Sequence, residues 1–520
     1  MELNCGSRYI LLPASWNAKP KRLIFRDGEK PVLDLAVSLD PDEPDFLFPV
    51  DVARFRGKTL ELTCEPEARF PVEQTDDPPL DYAGKYRPWA HFTARRGWIN
   101  DPNGLVWYRG KYRMYFQHNP AATTWENMHW GSAESPDLVH WRELGDVLFP
   151  DEAGTIFSGS GIVDRENVSG LKQGEEDPIL FFYTAAGGTS ETSKGSPFTQ
   201  NLAYSVDGGK TLVKWPGNPV ISQLAPGNRD PKVIRYEPEN CYILALYLEA
   251  HDFALFRSDD LLHWTELQRL TLPEDWECPD FYPLPADGDP EKLLWVFSAA
   301  SDRYLIGTFD GRRFTPLGEA GRLNYGDVSY AAQSWSDEPR GKRIRSAFIK
   351  QVVPGQPFGC CMDLPQEMRL KTVNGALRLC AWPAPEIEGL YRSAQALEDL
   401  PLDPAEPVKL PVKSKACDLE LEFPADTALS LSLFGLELGY DPAAGTLTCG
   451  EKAAPVTGEN GLVRLRILLD TLSAEIFADS GSVFLGMGYI QDRSLDTLRL
   501  TGTGTVRRLT LRELGPFWEA

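Results

Sequence analysis

Metal-ligand spacing is missing from this chain. Its 6 histidines form no H-x-x-x-H or H-E-x-x-H pattern, and its 9 cysteines hold no C-x-x-C pair and no zinc spacing. No metal site is therefore expected. An odd number of scattered cysteines reads as reduced core residues in a cytosolic protein. No run approaches the ~18 apolar residues that a membrane-spanning helix needs. The first residues, Met1 to Arg8, show no basic stretch leading into an apolar one, so no secretion leader is read and a cytoplasmic location is expected. Positive charge is also scarce: 53 Lys and Arg face 75 Asp and Glu, a formal charge of −22. That balance argues against nucleic acid or an anionic membrane as partner and fits a neutral substrate. The sequence carries no sign of a particular oligomeric state.

What is present is strand. A chain of 520 residues exceeds one ordinary core and suggests about three domains. Residues 1–80 read as a small β module followed by a linker rich in Pro, Asp and Glu. Its strands run from Arg8 to Pro13, Lys21 to Phe25, Val32 to Val37, Asp45 to Val50 and Thr59 to Cys64, separated by aspartates, prolines and glycines. Residues 88–385 carry an irregular repeat. Glu134-Ser-Pro-Asp-Leu-Val-His-Trp141 resembles Arg257-Ser-Asp-Asp-Leu-Leu-His-Trp264, with weaker copies at Ser205 to Lys210 and Phe309 to Phe314. Copies roughly 50 to 70 residues apart, each among several short strands, predict a β-propeller. Four copies and a strand-rich remainder, Ser329 to Val352, predict five blades; a sandwich of recurring hairpins is the alternative. A short helix is expected from Leu390 to Leu400. Residues 410–520 alternate apolar and polar, as in Leu429-Ser-Leu-Ser-Leu433, which predicts a C-terminal β-sandwich. The fold class is thus all-β: a small β domain, a five-bladed propeller and a sandwich.

Three acids stand within two residues of a proline near successive blade starts: Asp101 in Asn100-Asp-Pro-Asn103, Asp230 in Arg229-Asp-Pro-Lys232, and Glu277 in Glu277-Cys-Pro-Asp280. Each motif alone is an ordinary capped turn. In a propeller the innermost strands converge on the axis, so three such acids share one funnel. Burial and mutual repulsion then raise at least one pKa while others stay ionised, the separation that acid and nucleophile need in glycoside hydrolysis.

The run Trp98 to Gly104, then Tyr115 to Pro120, Met128 to Gly131, Phe157 to Ser160, Arg229-Asp-Pro231 and Glu277 to Asp280, in this order, resembles glycoside hydrolase family 32, the invertases, levanases and inulinases. Arg466 to Asp470 with Glu475 to Phe477 extends the resemblance into the C-terminal region. It implies a retaining, exo-acting β-fructosidase that hydrolyses terminal fructosyl units of sucrose, fructo-oligosaccharides or fructans, without metal or cofactor. By motif position Asp101 would be the nucleophile, Glu277 the acid and base, and Asp230 the holder of ring hydroxyls. Asn100, Gln117, Trp125, Ser158 and Arg229 would line the fructosyl subsite, with Trp98 and Phe157 as apolar walls. Arg229, beside Asp230, would keep that carboxylate ionised. Asp327 reads as a further subsite group or as a turn residue. Two departures, Ser132 where the family usually has His and Phe348 where it usually has Trp, bear on the leaving group. A fructosyltransferase and a non-catalytic fructan-binding propeller are the alternatives; the presence of all three acids argues against a pure binder.

Overall fold

The computed structural model describes residues 1–68 and 70–518, and their regular structure is strand broken by short 3-10 turns. Five antiparallel sheets follow one another as blades around a common axis. Blade I is Gly97–Tyr108, Lys111–Asn119, His129–Ser135 and Arg142–Leu148, in spatial as in chain order. Blades II, III, IV and V open with Thr155–Val163, Arg229–Tyr236, Asp280–Pro285 and Ser329–Ser334 and continue outward in the same way. Inner blade strands are packed on both faces, which is why Ile179–Ala186, with Phe181, Phe182 and Tyr183, is buried at every position instead of alternating.

The four repeat copies all fall in the turn between the third and fourth strands of a blade. In each, one aspartate folds the turn by accepting two backbone N–H groups. Asp137 takes those of Val139 and His140, Asp207 those of Lys210 and Thr211, Asp260 those of Leu262 and His263, and Asp310 those of Arg312 and Arg313. A short acceptor side chain replacing a backbone partner is what makes Asp a turn residue, and here it sets the blade period. The ring closes where blade V meets blade I: Phe358–Gly359 pairs in parallel with Gly97 and Trp98, and Ser336 exchanges backbone hydrogen bonds with Leu105 and Trp107.

The N-terminal strands lie within about two residues of their expected places and form two sheets around Leu12, Leu23, Phe25, Leu35 and Phe48. The expected linker is not wholly linker, since Glu73–Thr75 pairs with Tyr9–Ala14. In the C-terminal region, Thr497 to Thr501 and Val506 to Leu511, which read in the sequence as two strands of the sandwich, are one. Thr497–Leu514 runs through both sheets and turns at Gly502, where φ is +150° and a Cβ would stand 2.0 Å from the Ala428 carbonyl oxygen. Conversely, Leu429 to Leu438, whose alternation reads in the sequence as one strand, is a hairpin broken at Phe434-Gly435, both at positive φ. The expected helix at Leu390 to Leu400 is a strand, Tyr391–Leu402. Its residues suit a helix, but it is mostly exposed and held by its backbone ladder to Thr497–Leu514, so long-range pairing overrode local preference.

His91 ties propeller to sandwich. Fully buried, its Nδ1 lies 2.8 Å from Asp470 Oδ2 and its Nε2 2.5 Å from Glu475 Oε1. Burial alone would lower its pKa, but the hydrogen bonds to Asp470 and Glu475 outweigh it and push the imidazole up to about 10. Asp470 also accepts the backbone N–H groups of Trp89, Ala90 and His91.

Candidate active site

Four of the five innermost strands carry a register irregularity near their first turn: between Ile99 and Pro102, Ile156 and Gly159, Arg229 and Lys232, and Tyr330 and Gln333. A bulge adds a residue that the neighbouring strand does not pair and re-aims the side chains around it. Here it brings Asp101, Ser158 and Asp230 together at the axis. Blade IV reaches the same place through Glu277 and Cys278, both at positive φ, just before its innermost strand begins.

Aligned on their prolines, the motifs correct the expectation of three equivalent acids. Asp101, Asp230 and Cys278 each precede a proline directly, whereas Glu277 stands one position earlier, level with Asn100 and Arg229. The Cys278 thiol takes the central place of blade IV, 3.4 Å from both Asp101 Oδ2 and Asp230 Oδ2, which share its one S–H as acceptors. Its backbone N–H also reaches Asp230 Oδ2, at 3.0 Å. Burial, with the charges of Asp101 and Asp230, holds the thiol protonated far above its ordinary range. Asp101 is fixed from both sides: Asn100 Nδ2 donates to Oδ1 at 3.0 Å and Ser158 Oγ to Oδ2 at 2.5 Å. Trp98 Nε1 orients Asn100 through its Oδ1 at 2.9 Å. Thr184 Oγ1 accepts the Asp230 N–H at 3.0 Å.

Glu277 is the more open acid, its side chain 22% exposed against 6% for Asp230. Arg229 donates to Glu277 Oε2 from Nη2 at 2.6 Å and from Nε at 3.1 Å, and Tyr330 OH donates to Oε1. The expected Arg229–Asp230 partnership is the weaker one, at 3.7 Å. Consequently burial dominates at Asp230: it is pushed up to about 7, with Glu277 and Asp101 adding and Arg229 opposing. Asp101 is raised by burial too, against the Ser158 hydrogen bond that stabilises its charge. Below the acids the axis is filled. Lys232 Nζ donates to the Ser334 carbonyl at 2.6 Å and lies 3.4 Å from Asp280 Oδ1, all three residues buried.

Of the remaining expected residues, Phe157 precedes Ser158 and stands between Trp125 and Phe198, with ring centroids 5.7 and 5.6 Å away. Trp125 is 53% exposed, a rim residue and not part of the floor. Gln117 is buried with its Nε2 unpartnered. Phe348 backs Tyr330 edge-on at 6.0 Å, one layer behind the acids. Asp327 does not join the cluster: its N–H bonds to Gly486 and its carboxylate faces Lys452, both in the C-terminal region. Nor does Ser132, whose hydroxyl is used inside blade I by the Gly145 carbonyl at 2.8 Å. Sequence reasoning missed Cys278, Tyr330, Thr184 and Tyr247, whose ring lies 4.6 Å under the Arg229 guanidinium. Only Cys278 had a signal, its place before Pro279.

A propeller with paired carboxylates on its axis, joined to a β-sandwich, defines a class of glycoside hydrolase. Residues 91–383 match the Glycosyl hydrolases family 32 N-terminal domain. The levanase of Bacillus subtilis is 33% identical over 498 residues, an alignment spanning 84% of this chain and 72% of the levanase. The exo-inulinase of Aspergillus awamori superposes with a TM-score of 0.75 at 24% identity, over 84% of this chain and all of that one. A fructofuranosidase of Schwanniomyces occidentalis, solved with fructose, gives 0.74 at 25% identity over 84% of this chain and all of its own. The chain belongs to glycoside hydrolase family 32, and it is an enzyme of the β-fructofuranosidase type.

Proposed function

We propose that the enzyme is a retaining, exo-acting β-fructosidase that releases fructose from sucrose and from the ends of fructosyl chains. The observation that carries this reading is the meeting of Asp101, Asp230 and Glu277 around Cys278. Asp101 attacks the anomeric C2 of the terminal fructosyl unit while the bond from C2 to the leaving oxygen breaks. Ser158 and Asn100 hold its two oxygens in line, leaving a lone pair free for the attack. Glu277, the acid open to the funnel, gives its proton to the leaving oxygen; it then takes a proton from water as that water attacks C2 and frees Asp101. Asp230 accepts hydrogen bonds from ring hydroxyls, which strengthen as the ring becomes oxocarbenium-like. The buried, unpartnered Gln117 Nε2 has a donor to offer another hydroxyl. Lys232, Asp280 and Ser334, buried along the same inner strands, leave no passage for a chain to thread along the axis past the acids.

Chromatography of products from sucrose, inulin and levan tests this directly. Fructose alone is expected; ladders of short fructans would mean endo-cleavage, and products longer than the substrate would mean transfer. Asp101→Ala should lose activity by about four orders of magnitude while melting as a folded protein. Glu277→Gln should retain activity on a fructoside with a good leaving group far better than on sucrose. Wild-type turnover in Asp101→Ala, or equal losses on both substrates in Glu277→Gln, would overturn the assignment.

A further inference from the structure

Lys30–Val37 is the outer strand of the N-terminal four-stranded sheet, and an open strand edge of this kind needs a partner or a cover. The propeller supplies the cover. The Asn127 side-chain amide lies against the Ala36 peptide as a neighbouring strand would: Ala36 N donates to Asn127 Oδ1 and Asn127 Nδ2 donates to the Ala36 carbonyl, each at 2.8 Å. The same Nδ2 reaches Asn119 Oδ1 at 2.9 Å. Asn119 closes the intervening loop on itself, accepting from Ala121 N at 3.0 Å and donating to the Thr124 carbonyl at 2.8 Å. Ala121 is itself buried in the module's core. Two residues along the same strand, Asp34 Oδ2 accepts the N–H of Glu191 at 2.8 Å, while Arg22 Nε steadies Asp34 through Oδ1 at 2.8 Å.

The two clamped loops are equivalent. Each joins the second and third strands of its blade, blade I at 120–128 and blade II at 187–197. In an antiparallel sheet the second strand ends where the first begins, so both loops stand at the end of the propeller that holds Asp101 and Ser158. The first loop carries Trp125 against Phe157, and Phe198 follows the second. One edge strand of a separate module therefore fixes both loops on one side of the funnel mouth, beyond the unit that touches the acids.

We propose that the N-terminal module is part of the substrate-binding apparatus. Through Asn127 and Asp34 it positions the rim against which the second and later units of a fructosyl chain lie, and so sets the preference for oligosaccharide over sucrose. This rests on the β-fructosidase reading above. Asn127 and Asp34 act through the loops they hold and do not touch the reacting atoms.

The test pairs two measurements on the full chain. In Asn127→Ala and Asp34→Ala, hydrogen exchange at 120–128 and 187–197 respectively should quicken about tenfold, the loss of one or two net hydrogen bonds. The ratio of kcat/KM on a fructosyl oligomer of five units to that on sucrose should fall about five- to tenfold, mainly through KM. Asp34→Asn, which keeps the acceptor for Glu191 N but turns an amide donor toward Arg22 Nε, should restore part of both. Unchanged exchange in both variants overturns the clamp whatever the enzyme hydrolyses. Quickened exchange with equal losses on both substrates overturns the specificity role and leaves the module a stabilising brace. A wild-type protein inert on every fructosyl substrate overturns the function proposed above and the substrate half of this proposal, and exchange alone then decides the clamp.

Discussion

Arg229 binds Glu277, its neighbour in the next blade, more closely than Asp230, its neighbour in the chain: 2.6 Å from Nη2 to Glu277 Oε2, against 3.7 Å from Nε to Asp230 Oδ2. The bulge at Arg229–Lys232 points the two consecutive side chains to different levels of the funnel. The guanidinium is thus spent on orienting the outer acid, and Asp230 is left to its buried surroundings.

Arg229→Lys should therefore be far from conservative. A single ammonium cannot reproduce the two donations to Glu277 or the contact with the Tyr247 ring. We expect kcat/KM on sucrose to fall about 10- to 100-fold, as for loss of hydrogen bonds to a charged group. Steady-state kinetics within about threefold of wild type would show that Glu277 needs no such support.

Asp230 stores instability at the site. Its folded pKa, about 7, lies above the ordinary 3.8, so the fold favours the protonated acid and pays for ionising it as pH rises. The penalty is absent below pH 3.8 and complete above about pH 7. Asp230→Asn removes it and retains an oxygen to accept the Cys278 N–H. Melting temperature should exceed that of wild type by about one to a few degrees at pH 8 and by less at pH 5, while activity disappears. A lower melting temperature at pH 8 would contradict the burial argument.

The His91 bridge has the opposite sign. A histidine whose folded pKa is raised to about 10 contributes stability that is fully present below about pH 6.5 and is lost as pH rises through 10. His91→Gln leaves buried carboxylates uncompensated, at a penalty of about 3–5 kcal/mol. Calorimetric melts should show a large gap between variant and wild type at pH 6.5 that narrows steadily toward pH 10. A gap independent of pH would mean that the bridge is not an ion pair.

Much of the site was legible because its signals are local. The Asn-Asp-Pro-Asn, Arg-Asp-Pro-Lys and Glu-Cys-Pro-Asp runs mark their turns by proline, and the Ser and Asp turns at 135–137 and 258–260 mark the blade period through side chains that cap their own backbone. Tyr330 was not legible. Nothing near it in sequence distinguishes a tyrosine that donates to Glu277, 53 residues away, from one that fills a core. Asp327 and Ser132 show the converse, polar residues in family-like runs whose contacts lie outside the funnel.

The sequence by itself determined the all-β class, the five-blade repeat and the three acids, because alternation, aspartate-capped turns and proline-bounded motifs act over a few residues. Only the tertiary structure decided that Cys278, not Glu277, sits level with the two aspartates, that Arg229 serves Glu277, that Tyr391–Leu402 is a strand, and that the N-terminal edge strand closes on the funnel's rim. Each of these is set by a partner distant in the chain or by the bulge that aims a side chain. Such choices depend on which backbone groups and burial sites remain after the local elements have formed, and that is a property of the packed whole.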